Sequence, residues 1–486
     1  MNYLNILILL TSLLLCSHSF AIQLPSVLSD NMMIQRDKAV CIWGKCAPGA
    51  TITVEFSKQK KETVASGSGD WRVMLDPMSA SFQPLEMHIT TDSGEPAVRL
   101  QNILVGDIWL CGGQSNMQFL LSKSDHAADA TKQPANEQIR YFYQAFNGAP
   151  NPLFDCVRGT WKQDDPHSRQ WVSAVAWYFI QEIYQSEQIP VALLQANQGG
   201  SSAQMWTPLE DLKGDQEFQS YIDAYTTKTQ TYDSRKETYL QKKEAGEKIS
   251  IIDHYGWFPV AAYNAMIHPV QNFTLKGVIW YQGEANSAPD DALLYRKLFP
   301  TMINAWRREF NDPELPFLFV QLPNFGGKPD RDWATLRESQ ALTAKQLDHT
   351  GMAITIDVGE SDNIHPTLKK PVGERLAKIA LNKLYNKPIE YAAPSVQKSE
   401  IVGNTIMLHF DRPIASKDGK PLREFTICGA DQQFVEATAT IKGNTIIVFC
   451  PKVPSPVAVR YAWHNDPQVN LFGTNGLPVA PFQTDL

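Results

Sequence analysis

Four apolar runs, each ending in a polar loop, constrain this chain more than any other feature. "DIWLC" leads into "GGQSNM", and "VALLQA" leads into "NQGGSS" at 197–202. "GVIW" leads into "YQGEANS" at 281–287, and "AITIDV" leads into "GESDNIHP" at 359–366. Between them, "SAVAWYFIQEIYQ" and "YRKLFPTMINAWRREF" carry apolar residues at helical spacing. This alternation predicts an α/β domain with a parallel sheet and helices on both faces. In open sheets of that kind, sites gather at the carboxyl ends of the strands. The four loops should therefore meet on one rim.

The flanks read differently. Residues 22–104 alternate or run apolar in short stretches ("AVCIWGKC", "TITVEF", "WRVML"), broken by turn signals such as "APGA" and "GSGD". They predict an N-terminal β-sandwich. Residues 105–387 form the α/β domain, and "TIMLHF", "NTIIVFC" and "PVAVRYAW" predict a C-terminal β-domain over 388–486. Inside the α/β domain, residues 213–250 are strongly charged and helix-prone with both signs interleaved, which suits a solvated helical excursion. The apolar run "ILILLTSLLLC" followed by small residues at Ser19 and Ala21 reads as a secretory signal over 1–21, cleaved after Ala21. A secreted or periplasmic protein is expected, lysosomal in a eukaryotic source.

A formal charge of -7 argues against nucleic-acid binding. No later segment reaches the ~20 apolar residues of a membrane span. Six cysteines follow the signal, without zinc spacing. Cys428 with Cys450 is the disulfide to expect first, and buried free thiols are the alternative. The ten histidines include no H-x-x-x-H or H-x-H pair, so no metal or other cofactor is expected.

Ser115, lifted by the glycines of "CGGQSNM", is the candidate nucleophile. A serine that attacks an ester needs a base, and imidazole suits because its pKa of ~6.5 lies near working pH. It also needs a carboxylate to orient that imidazole. Asp362 and His365 stand three residues apart in the fourth loop, with Glu360 as the rival carboxylate. The oxyanion needs donors, for which the Ser115 N–H, a glycine N–H of Gly199–Gly200, and a side-chain amide from Gln282 or Asn286 are candidates.

"GGQSNM", "YNAMIHPV", "KGVIWYQGEAN" and "DNIHPTLKKPVGERLA" together resemble the sialate O-acetylesterase family of SGNH-type hydrolases. The likeness continues into "LPSVLSDNMMIQRDKAVCIWGKCAPGA" and "YAWHNDPQVNLFGTNGLPVAPFQTD", and so spans nearly the whole mature chain. The resemblance implies a three-layer, flavodoxin-like catalytic domain flanked by two β-domains. It implies a metal-free serine mechanism releasing acetate from O-acetylated sialic acids. By motif, Ser115 is the nucleophile, and Asp362 and His365 fill D-x-x-H. Gly200 is the glycine donor, with Gln282, or in reserve Asn286, the amide donor. Gln114, Trp206, Tyr281 and Glu284 are the expected sugar contacts. Gln198 departs from the family's usual Trp before the glycine pair, which alters the expected pocket shape.

Two other readings remain. One is an acetyl esterase for another glycan, such as acetylated xylan, on the same scaffold. The four loops carry no Arg or Lys to meet a sialate carboxylate, which favours it. The other is a non-catalytic secreted sugar-binding protein, against which stands the presence of serine, histidine and carboxylate together.

Overall fold

A computed structural model describes residues 21–485. Apart from Ala21, the expected signal lies outside the described residues. The central sheet runs, from edge to edge, through Thr350–Ala353, Phe317–Val320, Gly277–Tyr281, Val98–Gly113, Val191–Asn197, Asn136–Tyr143 and Thr160–Asp164. Neighbours are parallel except the last pair. The inner strands are buried on both faces, which is why "DIWLC" and "GVIWY" read as unbroken apolar runs rather than alternating ones.

Two tryptophans show the layering. Trp109 packs edge-on against Phe179 of the helix Ala174–Glu187, and its indole N–H donates to Tyr385 at the end of the helix Lys370–Tyr385. Trp280 points to the other face, against Trp306 of the helix Pro289–Glu309. That helix packs on Trp333–Gln346. The sheet is thus mixed, largely parallel, and covered on both sides.

The expected boundary at 104/105 falls inside one continuous strand. Val98–Gly113 pairs first with Ser81–Thr91 and Met33–Gln35 of the N-terminal β-region, then with Val191–Asn197 and Gly277–Tyr281 of the central sheet. At the crossing, a Cβ on Gly106 would lie 2.1 Å from the Pro190 carbonyl oxygen. One hydrophobic core accordingly extends from Ile22 to Tyr385. The C-terminal β-region has a second core of its own, from Ile406 to Val479. Its strands Thr405–Phe410 and Thr445–Phe449 alternate buried and half-buried residues, as antiparallel strands with one wet face do.

The charged stretch forms two helices, Gln219–Gln230 and Tyr232–Glu244, the second without a buried residue. Tyr232 and Tyr239 pack it onto Tyr255 and His254. The six cysteines among the described residues are all buried free thiols. The Cys428–Cys450 disulfide is not formed: Cys428 ends the strand Phe425–Cys428 of one sheet, and Cys450 follows Thr445–Phe449 of another. No helix among the described residues is long and apolar enough to cross a membrane.

Candidate active site

Val98–Gly113 is the point where the sheet's connections diverge, since its later partners lie on opposite sides of it. A crevice opens at the carboxyl end of such a strand. The strand stops at Gly113, whose φ is +132°. A Cβ there would lie 2.1 Å from the Tyr281 carbonyl oxygen, so only glycine fits. The turn is tied to both neighbours: the Gln114 N–H donates to Tyr281 (3.0 Å), and the Gly113 carbonyl accepts from the Gln198 N–H (2.9 Å). Ser115 then opens the short helix Ser115–Gln118, where first-turn N–H groups lack intrahelical partners.

His365 arrives from the fourth loop. Its Nε2 lies 2.8 Å from Ser115 Oγ. Its backbone N–H donates to Asn363 Oδ1 at 3.0 Å, fixing the approach. Burial, and then the positive charge of Lys369, hold the imidazole below its usual 6.5. A neutral imidazole at that distance can take the serine proton at neutral pH.

The structure does not bring a carboxylate onto His365. Asp362 is exposed and makes no side-chain hydrogen bond among the described residues. Glu360 instead braces its own loop, accepting from the Thr367 N–H (2.8 Å) and Asn363 Nδ2 (3.0 Å). The Thr367 bond leads the effects that lower its pKa.

Of the expected oxyanion donors, the glycine pair sits against Ser115. A Cβ on Gly199 would lie 3.4 Å from that of Ser115. The Gly199 N–H is taken by Gln118 Oε1 (2.8 Å), whereas the Gly200 N–H has no partner among the described residues. Gly200 holds a φ of +77°, with Trp257 beside it. The amides behave otherwise. Gln282 is fully buried and donates to Asn286 Oδ1 (2.8 Å), Gln114 Oε1 (3.2 Å) and Ser201 O (3.3 Å). Asn286 donates to Gln204 Oε1 (2.9 Å) and accepts from the Ala203 N–H (2.9 Å). Their hydrogens knit three loops together beneath the site instead of pointing at a substrate.

The expected sugar contacts are likewise buried. Trp206 is 0% exposed, donates to Ser201 Oγ at 2.8 Å, and packs edge-on against Trp280. Gln114 Oε1 accepts from the Ala285 N–H (3.1 Å). Tyr281 and Glu284 are buried too. Residues that the sequence reading passed over lie closer to the chemistry: Trp257, half-buried beside Gly200, and the buried Asn116 and Lys369. Asn116 and Lys369 both sit inside the quoted motifs, but only burial sets them apart from ordinary loop residues. Among the described residues, no group of three or more His, Cys, Asp or Glu is placed to hold a metal ion.

A carbohydrate-esterase family profile, sialic acid-specific acetylesterase, matches residues 244–382. The chain is 28% identical to sialate O-acetylesterase of Mus musculus, over 96% of this chain and 95% of the relative. It is 27% identical to the Homo sapiens protein of that name, over 96% and 93%. A crystal structure of a carbohydrate acetylesterase from Xanthomonas citri superposes with a TM-score of 0.84 at 34% identity, covering 96% of this chain and 100% of that one.

Proposed function

Because the chain belongs to the sialic acid-specific acetylesterase family of carbohydrate esterases, we propose that it removes O-acetyl groups from sialic acids through a Ser115 acyl-enzyme. The 2.8 Å approach of His365 Nε2 to Ser115 Oγ carries this reading. His365 accepts the hydroxyl proton as Ser115 attacks the acetyl carbonyl. The oxyanion forms against the Ser115 N–H at the helix start and the free Gly200 N–H. His365 returns the proton to the departing sugar alcohol, then activates a water that hydrolyses the acetyl-serine. Asp362, three residues ahead of His365, is the proposed partner of Nδ1, a bond that this structure does not form. The signal read at 1–21 supports a secreted or periplasmic location.

One observation favours a second substrate, an acetylated neutral glycan such as xylan. The four loops carry no Arg or Lys, and Lys369, which follows the fourth, is buried against Asn116. Acetate release from 9-O-acetylated sialic acid and from acetylated xylan oligomers, with Ser115→Ala as control, separates the readings. Release from the sialate that vanishes in the variant is expected. Release from xylan alone keeps the mechanism and overturns the substrate. Equal activity in Ser115→Ala overturns the mechanism.

A further inference from the structure

Three polar side chains lie buried behind the Ser115–His365 pair. Asn116 is 0%, Lys369 1% and Glu284 7% exposed. Asn116 directly follows the nucleophile. Its Nδ2 donates to the carbonyl of Ile364 (2.9 Å), the residue directly before the base, and also to Glu284 Oε1. Its Oδ1 accepts from Lys369 Nζ at 2.5 Å. One amide thereby ties the backbone of the serine turn to the backbone of the histidine loop.

We propose that Asn116 is a positioning residue that sets the Ser115–His365 distance, and that Lys369 and Glu284 act through it by fixing which way its amide faces. This rests on the serine-esterase reading above. An asparagine amide has an acceptor end and a donor end of nearly equal shape, so packing alone does not choose between them. A cation at one end and a carboxylate at the other do. If the amide were reversed, its oxygen would face the Ile364 carbonyl and Glu284, and its N–H would face an ammonium. The tie to the histidine loop would be lost.

The arrangement is costly, which separates it from ordinary core packing. Desolvation raises the Glu284 carboxyl and draws the Lys369 ammonium down to about 7. Glu284 and Glu360 facing the ammonium oppose that fall. Glu284 Oε2 has no partner among the described residues. The rings of Phe119 and Tyr281 lie 4.9 Å and 5.5 Å from Nζ. Apolar or neutral replacements of buried charges are often neutral or stabilising when made together. A purely structural role would therefore be served by uncharged residues.

Hydrolysis of p-nitrophenyl acetate by the full chain tests the proposal without relying on the glycan. Asn116→Ala is expected to lower kcat about 100-fold, the effect of displacing a reacting group by about 1 Å, with KM little changed. The paired variant Lys369→Met/Glu284→Leu, which removes both the cation and the acceptor, is expected to keep a near-wild-type melting temperature yet lose kcat comparably. It carries the test alone if Asn116→Ala does not fold. Lys369→Met is expected to move the acidic limb of kcat/KM to higher pH, because the cation that disfavours a charged His365 is gone. Wild-type kcat in folded Asn116→Ala, or in the paired variant, overturns the proposal. Full activity in a parallel Ser115→Ala overturns the serine-esterase reading itself, and the proposal with it.

Discussion

The serine turn and the histidine loop are braced by opposite ends of the chain, and by different kinds of contact. Ser115 follows a strand that is already part of the N-terminal β-region, within one shared apolar core. The His365 loop is irregular and leans on the C-terminal β-domain through polar contacts. Gly359 N–H donates to Asn324 Oδ1 (3.1 Å), and Asn324 Nδ2 donates to Asp466 Oδ1 (2.7 Å). Arg337, fully buried, donates to the carbonyls of His464 (2.9 Å) and Asn465 (2.7 Å) from the same turn. A continuous strand makes its support inseparable from folding. A polar dock can be weakened while the sheet survives. Damage to the first brace should therefore appear as lost protein, and damage to the second as lost turnover.

Gly106→Val should have the largest effect. Its side chain would meet the Pro190 carbonyl, so overpacking should cost about 3 kcal/mol or more, with activity and structure lost in one transition. A urea melt at wild-type midpoint would break the comparison. Asp466→Ala should be milder in stability, about 1 kcal/mol, mostly for the short bond from Asn324, the second from Gln468 being longer and exposed. It should nevertheless lower kcat roughly tenfold, as the loop carrying His365 loosens. Unchanged kcat in that variant would show that the C-terminal brace does not reach His365.

The smallest expected effect is on pH dependence. On the proposed mechanism His365 serves as a base only when neutral, and its pKa is held below 6.5. Activity should persist below that pH and fall as the pH drops through the lowered pKa. In Asp466→Ala, a better-hydrated imidazole should move that acidic limb back up towards 6.5. A pH profile of kcat/KM checks both, and a wild-type limb above 6.5 would contradict the burial of His365.

The rim of loops was legible because strand-helix alternation fixes where strand ends gather, and the structure brings Ser115 and His365 together there. The domain boundary was not. Asn102 and Gly106 look like punctuation in "VRLQNILVGD", yet Asn102 has a φ of +56° where pairing with Ser81–Thr91 shifts register. The irregularity is a bulge that bends the strand without ending it. The roles of the amides were hidden for another reason. Composition shows that Gln282 and Asn286 can donate, but not that Gln282 spends its hydrogens on Asn286 and Ser201 while Asn286 spends its own on Gln204. Trp206 poses the same difficulty, since an indole serves a core as readily as a sugar surface.

The continuous strand also governs the order in which the molecule is made. Val98–Gly113 can complete its pairing only after Val191–Asn197 and then Gly277–Tyr281 have been synthesised. Pairings so distant along the chain form slowly, and partly built sheets expose apolar edges while they wait. Every strand pairing of the N-terminal β-region lies within residues 33–106, so only the second half of the long strand, from Asp107, waits for partners made later. The C-terminal region, with its separate core, can close quickly once its own strands are made. The strand that carries Ser115 thus depends on distant partners, whereas the turn that braces the His365 loop through Asp466 belongs to a region whose core is its own.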